Sequence, residues 1–526
     1  MSTDAIVIGA GHNGLAAALR LAKEGRRVLV LERRDRPGGL CAAEEFHPGY
    51  VVPGLLHDTG SVRAGLISSL GLERHGLCFR DDDIPVFAPS LNGAGLLLHR
   101  DPEKSRPQIS TFSESEAESY LQWRAFLRRI EAFIRGLLNQ APPPLMTLSR
   151  GDVWDLVRRA WRLRRLGKRD MLEVMRILPM PVADWLGEHF QMPILSELLA
   201  APSLFGSFLG PRAAGTAANL IFHECTADRS LRGGPSALIE ALLAASRECG
   251  VEVRTSAEVS RILVSGDRVT GVRLQSGDEI GTGIVVASCD PKSTFLRLIH
   301  PSHLALKVED QFRAFRSRGT AAKVHLALSG PLEFQCRPGV QFEAVWIGRG
   351  AVSELDRVFD DAKYGRFSNI PFLDLRVPSL SSPGLAPGGH HVVSILAGAA
   401  PYELEGGWTP QRREALGDAV VEALARYAPS LRQLIVAREV LTPLDLEQRY
   451  GMTGGHVCHG EHALDQLLSL RPAPCAGGYA TPVAGLFLGG SGSHPGGGVT
   501  CAPGLLAAEA VIRKEATWDG RTQETG

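Results

Sequence analysis

Neither sign of charge is in surplus in this 526-residue chain, which has 57 Lys and Arg against 57 Asp and Glu. A protein that condenses on nucleic acid needs a basic excess, so no nucleic-acid partner is expected. No apolar run reaches the roughly 18 to 20 residues that a bilayer-spanning helix requires. The amino terminus, Met1-Ser2-Thr3-Asp4, has no basic stretch before the first apolar run. It lacks the layout of a secretory signal, and the expected location is the cytoplasm. The nine cysteines are scattered and contain no C-x-x-C pair. This argues against a disulfide framework, a zinc ribbon and a dithiol redox site. Aromatic residues are sparse at 6%, and there is neither an internal repeat nor a low-complexity tract. What the chain does have is apolar residues, 44%, and 58 glycines. That is enough for a large core divided between two lobes.

The glycines are concentrated where they carry chemistry. Asp4-Ala-Ile-Val-Ile-Gly9 reads as a strand, and Gly9-Ala10-Gly11-His12-Asn13-Gly14 leads into a helix-like stretch to Lys23, stopped by Gly25. In this G-x-G-x-x-G the first glycine permits a tight turn and the second lets a pyrophosphate approach the backbone. The third lets helix and strand pack closely, while the helix N-terminus offers N–H donors to phosphate. A second strand, Arg27 to Leu31, ends at Glu32, where an acid is placed to accept hydrogen bonds from a ribose. Five residues later come Gly38 and Gly39. Near the other end, Gly485 to Gly490 reads as a buried strand, and Ser491 to Val499 as a glycine loop opening onto a helix from Ala502 to Lys514. The polar residues from about Thr517 onward read as a disordered tail.

The E-x5-G-G extension resembles the dinucleotide-binding signature of FAD proteins of the amine oxidase and phytoene desaturase superfamily, and implies FAD rather than NAD. Four further stretches extend the likeness: the Gly233-Gly234 helix, the strand from Val285 to Pro291, the block Thr442 to Gly460 and the loop Gly489 to Val499. With them the chain resembles the phytoene-desaturase-like flavoproteins, whose members act on carotenoids and retinoids, nearly end to end. The resemblance implies an α/β fold: a Rossmann-type FAD-binding domain with a mixed α+β substrate lobe. The FAD-binding domain would be assembled from residues 1–105, 225–300 and 475–526. Residues 106–224 would form a mainly helical, substrate- or membrane-facing region, and 301–474 a substrate domain with a mixed sheet. It also implies that Gly9, Gly11, Asn13 and Gly14 meet the pyrophosphate and Glu32 the adenosine ribose. Arg33, Gly38, Gly39 and Leu40 would hold the rest of the nucleotide, and Val259 the adenine. The D-x-G element Asp58, Gly60 and Ser61 would pass beside the isoalloxazine, with Gly490, Gly498 and Val499 along the ring and ribityl chain. Two departures from the family pattern leave the substrate open. No aromatic W-G-Y-like approach precedes Gly233, and Pro235-Ser236 stands where Met-Gly is usual.

For this family the flavin carries the hydride, and the protein supplies placement and exclusion of water. The acid or base candidates are His57, His456 and His459. The spacing of His456, His459 and His462 would converge on a metal only on a helix, which Gly454, Gly455 and Gly460 oppose, so no metal is expected. Desaturation of a hydrophobic polyene or isoprenoid-like substrate is the leading expectation, with oxygen or a membrane quinone as electron acceptor. Saturation, isomerisation and ketolation stand behind it. An amine-oxidase-like enzyme would need an aromatic cage, and a non-enzymatic lipid or prenyl-protein binding module would lack FAD. With one dinucleotide fingerprint, no separate NADPH domain is expected. Residues 154–169 interleave Trp154 and Trp161 with arginines, the composition of a helix lying on an anionic membrane or of a solvated basic face.

Overall fold

In the computed structural model, which describes residues 3–523 and side chains as far as residue 514, the apolar run Ala5–Ile8 is the middle strand of a five-stranded sheet. The order is Leu486–Leu488, Val285–Ala287, Ala5–Ile8, Val28–Leu31, Glu252–Arg254, and every pairing is parallel. These strands are continuously apolar because both sheet faces are covered. Ala5, Val7, Val28, Val30, Val286 and Phe487 pack against the helices His12–Lys23, Gly234–Glu248 and Ala502–Gln523. Ile6, Ile8, Leu29, Leu31, Val285 and Leu488 face a three-stranded antiparallel sheet through Val259, Ile262, Val269 and Val272. Strands distant in sequence thus share one core, and the nucleotide-binding part of the chain is discontinuous. The last helix runs to Gln523, so the tail predicted to be disordered from Thr517 is helical as far as residue 523. Residues 524–526 lie outside the described residues.

The second lobe is built on a seven-stranded sheet ordered Ile435–Leu441, Ala321–Leu328, His391–Gly398, Leu373–Arg376, Ala344–Ile347, Val86–Ala88, Leu96–Leu98. Val86–Ala88 pairs in parallel with Ala344–Ile347, through Val86 with Ala344 and Phe87 with Val345. Residues 86–98 therefore belong to this sheet, and a domain boundary at residue 105 does not follow the packing. One face of the sheet buries Val324, Leu326, Val393 and Ile395 against the helix Pro410–Ala425. The other face brings Lys323 opposite Leu396, and Leu396 opposite Asp374, in one row of cross-strand partners. His325 opposite Ser394, and Ser394 opposite Arg376, form the next. A helical layer closes this side. In Glu114–Leu138 the residues Tyr120, Trp123, Leu127, Ile130, Ile134 and Leu138 recur at helical spacing and are buried. Trp123 meets Trp185 with ring centroids 5.7 Å apart.

The two lobes are tied by one buried cation. Arg471 is wholly inaccessible to solvent, and no carboxylate approaches it within salt-bridge distance among the described residues. Its guanidinium donates instead to five carbonyls. These belong to Glu461 at 2.8 Å, Cys458 and Gly460 at 3.0 Å, Gln466 at 3.4 Å and Ser491 at 2.9 Å. Burial lowers its pKa to about 10, which leaves it cationic at neutral pH. Replacing Arg471 by Ala leaves these carbonyls without their charged donor, and chemical denaturation is expected to record a loss of about 3–5 kcal/mol. Arg471→Lys, which keeps the charge but not the fork of donors, is expected to recover only part of that.

Candidate active site

A groove of about 230 Å³ runs along the carboxyl ends of the parallel strands. This is where an open α/β sheet binds ligands. Its walls include Gly9, Gly11, Asn13, Glu32, Arg33, Gly39, Leu40, Val259 and His459. The helix His12–Lys23 enters it with no side-chain cap and no acid in its first turn, so its positive end is left for an anion. A Cβ added to Gly11 would stand in open space, and one on Gly39 would come within 3.4 Å of the Gly11 Cα. A side chain at either position would narrow the cradle. At Gly14 the added Cβ would lie 2.0 Å from the Gly9 carbonyl oxygen, and this contact explains why helix and strand need glycine there. Glu32 is buried and accepts the Ala10 N–H at 2.8 Å and the Arg34 N–H at 2.9 Å. Both carboxylate oxygens are thereby oriented, each with a lone pair to spare. Asn13 Nδ2 donates to Ser491 Oγ at 3.0 Å. Asn13 Oδ1, His12 Nε2 and His459 Nδ1 are buried without a hydrogen-bond partner among the described residues. Uncapped helix, glycine cradle, oriented acid and orphaned polar atoms fit a dinucleotide.

The groove leads past Leu56 and Val457 to a second space of about 310 Å³, a largely apolar chamber. Leu55, Leu138, Leu198, Ala201, Phe205, Phe222, Trp346 and Leu396 line it, with Ser61, Gly498 and Val499 at the glycine-loop end. Ser61 Oγ donates to the Val499 carbonyl at 3.2 Å and holds the D-x-G turn against that loop. Gly490 touches neither space. An added Cβ there would lie 2.5 Å from the Ser288 carbonyl oxygen, so this glycine packs strand against strand. Gly38, at φ +119°, donates to Ala10 O and forms the bend behind Gly39.

Polar groups gather at one side of the chamber. His57 Nε2 donates to Asp374 at 3.0 Å, Lys323 Nζ donates to His57 Nδ1 at 2.9 Å, and Arg376 donates to Asp374 at 2.5 Å. Burial lowers the Lys323 pKa to about 7, with the Arg376 charge adding to the effect and Asp374 opposing it. Burial, and then the Lys323 charge, lowers His57 to about 4, so the imidazole is neutral. Burial opposes ionisation of Asp374, but Arg376 and His57 overcome it and hold the carboxyl below its usual range. Beside this chain, His223 lies 3.7 Å from Asp58 and 3.5 Å from Glu224. Burial opposes the charged form of His223, but the two acids outweigh it and raise the imidazole to about 10. Burial likewise opposes ionisation of Asp58, which His223 nonetheless holds at about 2. Asp58 also accepts the Gly60 N–H at 2.8 Å. Asp58, His223 and Arg376 border both the chamber and a polar vestibule of about 680 Å³ that Gly60 also lines.

The three histidines proposed from sequence thus occupy different places. His57 is in the chamber, within the polar chain. His459 lines the dinucleotide groove. His456 is buried, made neutral by a pKa lowered to about 3, chiefly through burial, and accepts the N–H groups of Cys458 and Gly460. It braces its loop. His462 Nε2 accepts the Gly497 N–H at 3.0 Å, and no three metal-ligating side chains converge among the described residues. Sequence reading missed Lys323, Asp374, Arg376 and His223. The available signal was Lys323 and His325 at alternate positions of a strand that is otherwise apolar and buried throughout.

Comparison with known proteins agrees with this geometry. The model of the family described as flavin containing amine oxidoreductase matches residues 14–512. Pyridine nucleotide-disulfide oxidoreductase domain-containing protein 2 of Rattus norvegicus is 32% identical, over 97% of this chain and 93% of its own. A limonene dehydrogenase polypeptide of Castellaniella defragrans is 26% identical, over 97% and 94%. Among solved structures, cyclohexylamine oxidase from Brevibacterium oxydans superimposes with a TM-score of 0.57 at 17% identity, over 98% of this chain and all of that one, a likeness of fold. The dinucleotide that the groove binds is FAD. Glu32→Ala removes the acid oriented toward the ribose, and fluorescence titration of the apoprotein is expected to record FAD binding weakened at least about tenfold. Gly14→Ala is expected to weaken it further, because the helix must withdraw from Gly9.

Proposed function

The chain belongs to the flavin containing amine oxidoreductase family, as an FAD-dependent oxidoreductase, and we propose that its substrate is a largely apolar, isoprenoid-like molecule that it dehydrogenates. The observation carrying this reading is the chamber beside Gly498 and Val499, where leucine side chains, Phe205, Phe222 and Trp346 supply most of the wall. Such a wall binds by burying apolar surface and excludes water from the reacting carbon. A relative covering nearly the whole chain is named for dehydrogenating limonene, which supports the same substrate class.

FAD, when bound, supplies the hydride acceptor that no side chain offers, and its electrons pass on to oxygen or a quinone. The chain's own residues handle the proton. Dehydrogenation releases one proton beside the hydride, and Lys323, with a pKa of about 7, is the member of the polar chain that titrates near neutrality. His57 joins it to Asp374 at the chamber wall, and Asp374 fixes the imidazole with its proton on Nε2. Arg376 keeps Asp374 ionised, so the acid stays an acceptor and does not take up the released proton.

One observation favours a second reading, an amine with an apolar body. The vestibule lining holds nine carboxylates against five arginines, a surplus that attracts cations. The two readings separate in anaerobic mixing of the FAD-loaded protein with isoprenoid hydrocarbons and with alkylamines. Bleaching of the flavin band by a hydrocarbon is the expected result, and bleaching by amines alone would replace the first reading with the second. Because Lys323 is neutral only above its pKa, the rate of bleaching is expected to rise with pH through a midpoint near 7. Lys323→Met should lose that rising limb and about a hundredfold in rate, whereas an unchanged profile would remove Lys323 from proton handling.

A further inference from the structure

The helix Arg150–Arg164 is amphipathic, but its apolar side is turned away from the protein. Ser149 and Asp152 close its start with a capping box, yet none of its residues is buried. At about 100° per residue, Val153, Trp154, Val157 and Trp161 fall within an arc of about 100°. Trp154 is 65% exposed and Trp161 64%. The half-buried residues, Arg159 and Leu163 among them, lie on the opposite side. Among the described residues, ten of the eighteen large apolar side chains left exposed fall between residues 145 and 175. This is a continuous patch rather than scattered surface residues.

Charge identifies what covers it. The whole chain is balanced, yet residues 150–169 carry eight Arg and Lys against two Asp. Of those two, Asp152 is engaged in the helix cap and Asp155 lies 3.3 Å from Arg158. An outward apolar stripe bearing two tryptophans, set among unneutralised arginines, is complementary to a layer with anionic heads and apolar tails. We propose that this helix docks the protein on the surface of an anionic lipid bilayer, with Trp154 and Trp161 at the headgroup level. The inner side of the helix is fastened by Arg159, which donates to the Ala141 carbonyl at 2.7 Å, and by Arg162, which donates to Gln140 at 3.2 Å. These anchor points closely follow Leu138, a wall residue of the apolar chamber. The docked face therefore stands next to the place an apolar substrate must reach. That last connection rests on the substrate reading above, whereas the docking itself does not.

The test uses the FAD-loaded full chain with vesicles of phosphatidylcholine alone, or of phosphatidylcholine mixed with phosphatidylglycerol. Co-sedimentation is expected with the mixed vesicles and not with the neutral ones. It should be accompanied by quenching of tryptophan fluorescence by brominated lipid, and should weaken as salt is raised. W154S/W161S, and separately R158E/R164E/R165E, are expected to reduce binding at least about tenfold. Both should leave flavin content and turnover of a detergent-dispersed substrate unchanged. The proposal is overturned if the wild-type protein ignores both vesicles, or if neither variant weakens binding. It is equally overturned if W154S/W161S instead dissociates a dimer, which would make the patch a protein interface. Loss of vesicle binding with intact turnover, or intact binding with no turnover of any hydrocarbon, tells the failure of one proposal from that of the other.

Discussion

A single guanidinium holds the functional parts of this molecule in register. Arg471 gathers the carbonyls of Cys458, Gly460, Glu461 and Gln466 from one loop and that of Ser491 from another. Neither loop has regular structure of its own beyond short turns, so neither could fix its position by ladder hydrogen bonds. The constraint propagates. Ser491 accepts from Asn13 at the start of the dinucleotide-binding helix, and His462 accepts from Gly497 at the chamber end of the glycine loop. Placement of FAD and the shape of the chamber therefore both depend on a cation that five carbonyls solvate in place of water. A carboxylate partner would neutralise Arg471 but satisfy only one loop.

The two lobes contribute unlike environments to one site. The parallel sheet offers a glycine-lined groove with helix-end donors, suited to phosphate. The seven-stranded sheet offers an apolar wall into which one polar chain, Lys323 to His57 to Asp374 to Arg376, is set. Burial has opposite consequences at its two ends. It lowers Lys323 into the physiological range because a buried ammonium is costly, whereas at Asp374 the neighbouring Arg376 and His57 outweigh the same penalty. A proton store and a permanent anion thus stand together beside a surface that excludes water.

The nucleotide-binding elements are legible in the sequence because each lies within a local pattern. Gly9, Gly11 and Gly14 sit in one turn, Glu32 closes the next strand, and Gly38 and Gly39 follow at fixed distance. All but Gly38 border the groove or pack directly behind it. The chamber is not legible in that way. Lys323, Asp374, Arg376 and His223 come from two strands and a helix, and only sheet register and the docking of the helical layer bring them together. Strand alternation marks Lys323 and His325 as polar residues in a buried strand, yet nothing local says that His57 will meet them. The helix Arg150–Arg164 shows a further limit. Its composition is amphipathic in the sequence, but which side faces the protein depends on the packing of Arg159 and Leu163, and the structure turns the tryptophans outward.

The measurement that bears most directly on the central claim is a structure of the FAD-loaded protein with an isoprenoid hydrocarbon bound. The account predicts the hydrocarbon in the chamber between Phe205, Trp346 and Gly498, with FAD in the groove along Gly11 and Glu32. A hydrocarbon found elsewhere, or a chamber filled by residues that move into it once FAD is bound, would contradict it.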